Sequence, residues 1–261
     1  MRYSIYQMDV IPGDPAANRG KVAAWLERAV KLEQPDIVVL PEMWTTGYTL
    51  PELPDYADND GEPTSSFLCN LAKKYEVNII GGSFANRKEG KIYNSSIAID
   101  RSGMAIYRYD KIHLVPMLDE PKYLTGGENH AEVFELDGVK MGLIICYDLR
   151  FPELMRKLAL DGAQVVHVVA EWPTARKEHW RVLQLARAIE NQMFIVSSNS
   201  IGAYNGVEYA GTSMVIDPWG TVQAEGDGLT EQTISSSISL DITKKVRADV
   251  PVFSCRVPKF Y

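Results

Sequence analysis

The sequence is short of cysteine, of long apolar runs and of surplus positive charge, and each shortage removes a class of protein. Three cysteines in 261 residues, Cys69, Cys146 and Cys255, lie far apart with no Cys-x-x-Cys spacing, so no disulfide framework is encoded. That usage suits a reducing compartment, and the expected location is cytoplasmic. No stretch approaches the ~18 apolar residues of a membrane span. The opening MRYSIYQMDV has no apolar core of a secretory signal. With 27 basic against 34 acidic residues the net charge is −7. No basic stripe offsets it, which argues against nucleic acid or a membrane surface as partner. A Gly-x-Gly-x-x-Gly turn and a Walker loop are both missing, and Gly81-Gly82 and Gly126-Gly127 read as turn glycines. The four histidines lack zinc-site spacing, so no metal site is expected. Repeats, low-complexity tracts and Gly/Ser/Pro-rich linkers are also missing, so residues 1–261 are expected to form a single domain. Asn94-Ser95-Ser96 spells a glycosylation sequon, a chance match in a cytoplasmic chain.

What is present is an ordinary globular composition, 46% hydrophobic and 23% charged. Apolar runs alternate with helical patterns. Strands are expected over Tyr3–Asp9, Asp36–Leu40, Val77–Phe84, Ser95–Asp100 and Met104–Ile112. A hairpin follows over Val133–Leu136 and Val139–Cys146, turning at Asp137-Gly138. Gln164–Val169, Met193–Asn199, Ser213–Asp217, Thr221–Glu225 and Ser235–Leu240 complete the strands. Helical periodicity marks Asp14–Leu32, Pro63–Tyr75, Pro152–Leu160 and Thr174–Asn191. Interleaving of this kind predicts an α/β fold with mixed sheets. Residues 242–261 read as a tail, partly helical at most, of the kind that packs on a neighbour.

Cys146 ends an apolar strand just before a helix beginning near Pro152. A thiol there lies near backbone N–H donors and a positive helix end, which favour the thiolate. The alternative is a buried structural cysteine; Cys69, within a helix, and Cys255, in the tail, have no such context and read as structural. Of the histidines, His167 sits in an apolar strand and reads as a core residue, while His113, two residues after Lys111, is a rival base. Glu42 ends the strand Asp36–Leu40, where α/β sites assemble, and partial burial would suit it to base work. Equally, Glu42 and Lys111 could be solvated strand-end charges. Glu120 and Glu128 lie in the loop between Lys111 and Cys146.

Three blocks in this order, Pro41-Glu42-Met43-Trp44-Thr45-Thr46-Gly47-Tyr48, Asp110-Lys111-Ile112-His113-Leu114 and Ile145-Cys146-Tyr147-Asp148-Leu149-Arg150-Phe151-Pro152-Glu153, resemble the nitrilase superfamily of carbon–nitrogen hydrolases. The resemblance spans essentially the whole chain. It implies a Glu–Lys–Cys triad at Glu42, Lys111 and Cys146. A second family glutamate falls on Glu120, in Glu120-Pro121-Lys122-Tyr123-Leu124-Thr125-Gly126-Gly127, with Glu128 as fallback. Glu171-Trp172-Pro173, His179-Trp180, Ala186–Gln192 and Asp217-Pro218-Trp219-Gly220 resemble bacterial ω-amidases (2-oxoglutaramate amidases) associated with methionine salvage. Nitrilases and N-carbamoyl amino acid hydrolases share the triad. The implied fold is a four-layer α-β-β-α sandwich of two mixed sheets with helices outside, paired into a homodimer or higher homo-oligomer.

On that resemblance Cys146 attacks an amide carbon, Glu42 moves the proton, and the oxyanion sits between Lys111 and the Tyr147 backbone N–H. Glu120 orients Lys111, and no cofactor is needed. Tyr48 and Trp172 are expected as walls, and Arg150, Arg176 and Arg181 as candidates for a substrate carboxylate. A non-catalytic binding member of the fold and a thiol-redox protein are the readings from other classes.

Overall fold

The computed structural model describes residues 1–260. Its larger sheet has the order Gln232–Ser237, Arg2–Gln7, Ile37–Val39, Asn78–Lys88, Lys91–Ile99, Ala105–Asp110, with the short Asp58–Asn59 beside Asn78–Lys88. The second runs Val222–Glu225, Met214–Ile216, Phe194–Asn199, Val165–Ala170, Val139–Ile145, Phe134–Leu136. Both are mixed: Ile37–Val39 pairs parallel with both neighbours, as does Val165–Ala170, and the outer strands are antiparallel.

The period of two explains the layering. Ile37 and Val39 face the second sheet and join its Met141, Leu143 and Val165 in one core. Val38 and Leu40, one residue out of phase, face the helices Pro15–Glu33 and Thr64–Tyr75 instead. The first of these helices buries Val22, Trp25, Leu26 and Ala29, a 3.6-residue stripe, and Asp14 caps it by accepting from Ala17 N at 2.9 Å. Pro152–Leu160 and Lys177–Asn191 cover the far side of the second sheet through Met155, Leu158, Trp180 and Ala188. The result is the expected α-β-β-α sandwich.

Several boundaries differ from expectation. Two expected strands lengthen to Asn78–Lys88 and Lys91–Ile99, because Glu89-Gly90 forms a hairpin turn among polar residues that hide the alternation. The hairpin Ile201–Tyr204 and Val207–Ala210 was not expected at all, although Asn205-Gly206 is a strong two-residue turn signal. The last strand lies at Gln232–Ser237 rather than Ser235–Leu240, in register with Arg2–Gln7. The tail opens with a helix, Asp241–Asp249, whose Arg247 donates to Ala163 O and Gln192 O. Among the described residues no helix is long and apolar enough to cross a membrane.

Candidate active site

Glu42 is placed by a close crossing of backbones. A Cβ on Gly82 would lie 2.0 Å from Pro41 O, so only glycine lets the chain pass there, and Ser83 Oγ accepts from Met43 N at 2.9 Å. Gly81-Gly82 is therefore not a turn but part of a strand with a register irregularity. Met43, immediately after Glu42, has a left-handed φ of 47°. Glu42 is fully buried. Its Oε1 accepts from Lys111 Nζ at 2.8 Å and Asn94 Nδ2 at 2.8 Å, and its Oε2 accepts from Glu171 N at 2.8 Å. The Tyr48 hydroxyl lies between Glu42 Oε1 and Glu120 Oε1, at 2.9 and 2.6 Å, and offers them its single proton.

Lys111 follows the strand Ala105–Asp110 and is also fully buried. Gly127 packs behind it, donating its N–H to Lys111 O at 2.8 Å, where a Cβ would sit 2.4 Å from Asp110 O. Gly126-Gly127 is thus a second close approach rather than a turn. Lys111 Nζ reaches Glu120 Oε1 at 2.7 Å as well as Glu42. Burial alone would lower the ammonium's pKa, but Glu120 and then Glu42 outweigh it and hold it well above the ordinary lysine value. Burial raises the carboxyl of Glu120, with Lys111 opposing. Glu120 Oε2 accepts from Val115 N at 2.7 Å, whereas Glu128, the fallback, is exposed.

Cys146 opens a 3-10 turn, Cys146–Arg150, at the end of Val139–Ile145, and takes a left-handed φ of 46°. For a side chain with a Cβ that conformation costs about 1–2 kcal/mol, so the surroundings must impose it. Asp148, fully buried, does so. It accepts from Tyr109 Oη at 2.7 Å, His113 N at 3.0 Å and Ile145 N at 3.2 Å, with His113 Nδ1 at 2.8 Å. His113 stacks on Phe151 and orients this turn; its ring pairs with Asp148. The surroundings act on the thiol against the helix end, which alone would favour the thiolate. Burial, then the Glu42 charge, push its pKa well up; Lys111 opposes, and Glu42 also takes a hydrogen bond from it. The thiol thus faces Glu42, the group placed to receive its proton.

Two cavities flank the centre. A recess of about 20 Å³ at Cys146 is lined by Tyr147, Arg150, Trp172, Arg176 and Leu118. A cleft of about 410 Å³ is lined by Tyr48, Tyr204, Tyr209 and the same Leu118. The Arg150 guanidinium lies over the Trp172 ring at 4.6 Å and Tyr147 at 5.7 Å. Burial pushes the Arg150 guanidinium's pKa down, and Arg176 acts in the same sense. Arg181, by contrast, pairs with Glu225 on the surface at 3.4 Å and has no place at the centre. Tyr48 is more than a wall, because its hydroxyl joins the two glutamates.

Sequence reasoning missed three participants. Asn94, set aside as a chance sequon, is buried and binds Glu42; it lies on Lys91–Ile99, one residue outside the expected strand Ser95–Asp100, where its carbonyl accepts from Lys111 N. Glu171 was noted only within a motif, and its backbone N–H holds Glu42. Tyr209 lies on the unexpected hairpin and lines the cleft.

A fully buried lysine clamped by two carboxylates beside a buried thiol, on a two-sheet sandwich, defines a hydrolase centre of the nucleophilic type. Residues 2–248 match the carbon-nitrogen hydrolase family model, and the chain belongs to that family. It is 44% identical over 250 residues to the 2-oxoglutaramate amidase of Bacillus subtilis (strain 168), covering 96% of this chain and 95% of that one. To the "hydrolase in agr operon" of Staphylococcus aureus it is 43% identical over 256 residues, covering 97% of each. Nit3 of Saccharomyces cerevisiae, a nitrilase-superfamily crystal structure, superposes with a TM-score of 0.90 at 29% identity, over 97% of this chain and 95% of that one. The protein is an enzyme of carbon–nitrogen bond hydrolysis acting on amides.

Proposed function

We propose that this chain is a thiol amidohydrolase of the ω-amidase type, cleaving the terminal amide of a short carboxylate-bearing amide such as 2-oxoglutaramate. The observation that carries the reading is the Glu42–Lys111–Glu120 clamp facing Cys146, beside a recess lined by Arg150 and Arg176. Because its surroundings push the thiol's pKa up, attack on the amide carbon and proton transfer to Glu42 go together. Lys111 and the Tyr147 N–H receive the oxyanion, and each such donor is worth roughly 10²–10³ in rate. Glu42 passes the proton to the departing ammonia, then activates water to open the thioester. Glu120 holds Lys111 and takes no proton from the substrate.

Arg150 and Arg176 supply the socket for the substrate carboxylate, with Trp172 and Tyr48 as walls. The substrate enters across Leu118, the side chain shared by recess and cleft. The 2-oxoglutaramate amidase and ω-amidase names of relatives support the substrate class. We further read the enzyme as a cytoplasmic homodimer made of one domain, with no cofactor. Three free cysteines suit that compartment, and the exposed Val182, Ile189 and Trp219 suit an interface with a second copy, which sedimentation would test.

The functional test is ammonia release on 2-oxoglutaramate, glutamine, a simple nitrile and an N-carbamoyl amino acid. Release from 2-oxoglutaramate, with KM raised by Arg150→Gln or Arg176→Gln for that anionic amide and not for a neutral one, is the expected result. Turnover of the nitrile or the carbamoyl compound alone would reassign the substrate class.

A further inference from the structure

A third carboxyl lies at this centre without a role in the reaction described. Glu171 follows the strand Val165–Ala170 and is only 2% exposed. Its N–H donates to Glu42 Oε2 at 2.8 Å. Its Oε1 lies 3.8 Å from where a Gly47 Cβ would be, beneath the turn that carries Tyr48. Its Oε2 is enclosed and has no hydrogen-bond partner. The Tyr209 hydroxyl faces the carboxyl from the hairpin Val207–Ala210, and Ala210 N donates to Trp172 O at 2.8 Å, tying that hairpin to the Glu171-Trp172 segment. Lys111 is the one ammonium at this centre, and both its ion pairs go to Glu42 and Glu120.

We propose that Glu171 is a positioning residue carried as a neutral carboxylic acid, filling the space between Gly47, Tyr209 and Glu42 and so fixing where Glu42 points. The argument is one of charge and space. A buried carboxylate without its own cation is far costlier than its protonated form, and a third negative charge around one ammonium would compound the cost. The groups facing Glu171 act in the same sense: burial first and Glu42 next push its pKa well up, Glu120 adds to this, and Lys111 and Tyr209 oppose without reversing it. Tyr48, on the facing turn, is itself kept protonated by burial and by Glu120 and Glu42. A neutral Glu171 leaves the field on Cys146 and Glu42 undisturbed. Once ionised, it sets a negative charge against Glu42, so activity should fall as pH rises through the raised pKa of Glu171.

The first readout does not depend on turnover, whereas the second rests on the amidase reading above. In infrared difference spectra at neutral pH, wild type minus Glu171→Gln, a carboxylic-acid carbonyl band is expected; its absence would overturn the proposal whatever the substrate. On 2-oxoglutaramate, Glu171→Ala should lower kcat about tenfold with little change in KM, and the isosteric Glu171→Gln should recover most of that loss. The alkaline fall in kcat should be missing or shifted upward in Glu171→Gln. An unchanged alkaline limb, or a Gln variant as impaired as the Ala variant, would contradict a neutral positioning role. If Glu171→Ala does not fold, the spectrum and the Gln profile decide.

Discussion

Two fully buried polar centres in this molecule settle the same problem in opposite ways. His167 lies between the sheets with Nδ1 3.1 Å from Gly142 O and Nε2 3.3 Å from Tyr3 Oη. The carbonyl can only accept, so Nδ1 carries the proton and Nε2 accepts from Tyr3. Burial pushes this histidine down to a pKa of about 4, and a neutral ring joins the two sheets. Around Lys111 burial is as complete, yet charge persists, because two carboxylates hold the ammonium. Structure alone favours the neutral solution. A buried charged cluster that hydrophobic residues could replace at no loss of stability is kept for chemistry.

That contrast can be broken from either side. Removing the nucleophile has the largest effect: Cys146→Ala should cost at least roughly 10³-fold in ammonia release while keeping the fold, read by circular dichroism. Lys111→Met leaves Glu42 and Glu120 facing each other unpaired. It should lose activity and about 3–5 kcal/mol of stability in denaturant melts, and a Lys111→Met protein as stable as wild type would undo the argument.

The histidine gives a smaller, pH-linked effect. Its folded pKa is depressed from 6.5 to about 4, so its contribution is fully present above 6.5 and is lost as pH falls towards 4. The shift amounts to about 3 kcal/mol, and His167→Gln should flatten the acid side of a Tm–pH curve by that share. Smallest of all, Arg181→Ala breaks only an exposed pair with Glu225 and should leave KM unchanged and shift Tm by less than about 2 °C.

The sequence made the layered fold legible because buried strands such as Ile37–Val39 and Val165–Ala170 announce themselves by β-branched runs, and Asp14 with Pro15 marks a helix start. Glu42, Lys111, Glu120 and Cys146 were legible as motifs, and the fold brings all four to one point. Partners supplied through tertiary contact were not. Asn94 and Tyr209 stand far along the chain from the residues they serve, and no local pattern distinguishes them from other strand residues. The upward push on the thiol's pKa was hidden for a related reason. A helix end is visible in sequence, whereas enclosure beside two carboxylates is a property of the folded site. The two Gly-Gly pairs misread as turns belong to the same class, since the backbones they admit come from elsewhere in the chain.

The most direct test of the account is the mass of the protein quenched in acid within its first turnovers of 2-oxoglutaramate. The account expects an adduct of the substrate's mass less ammonia, located on the peptide bearing Cys146 and missing from Cys146→Ala. Ammonia release by Cys146→Ala at the wild-type rate, with no adduct on either protein, would contradict it.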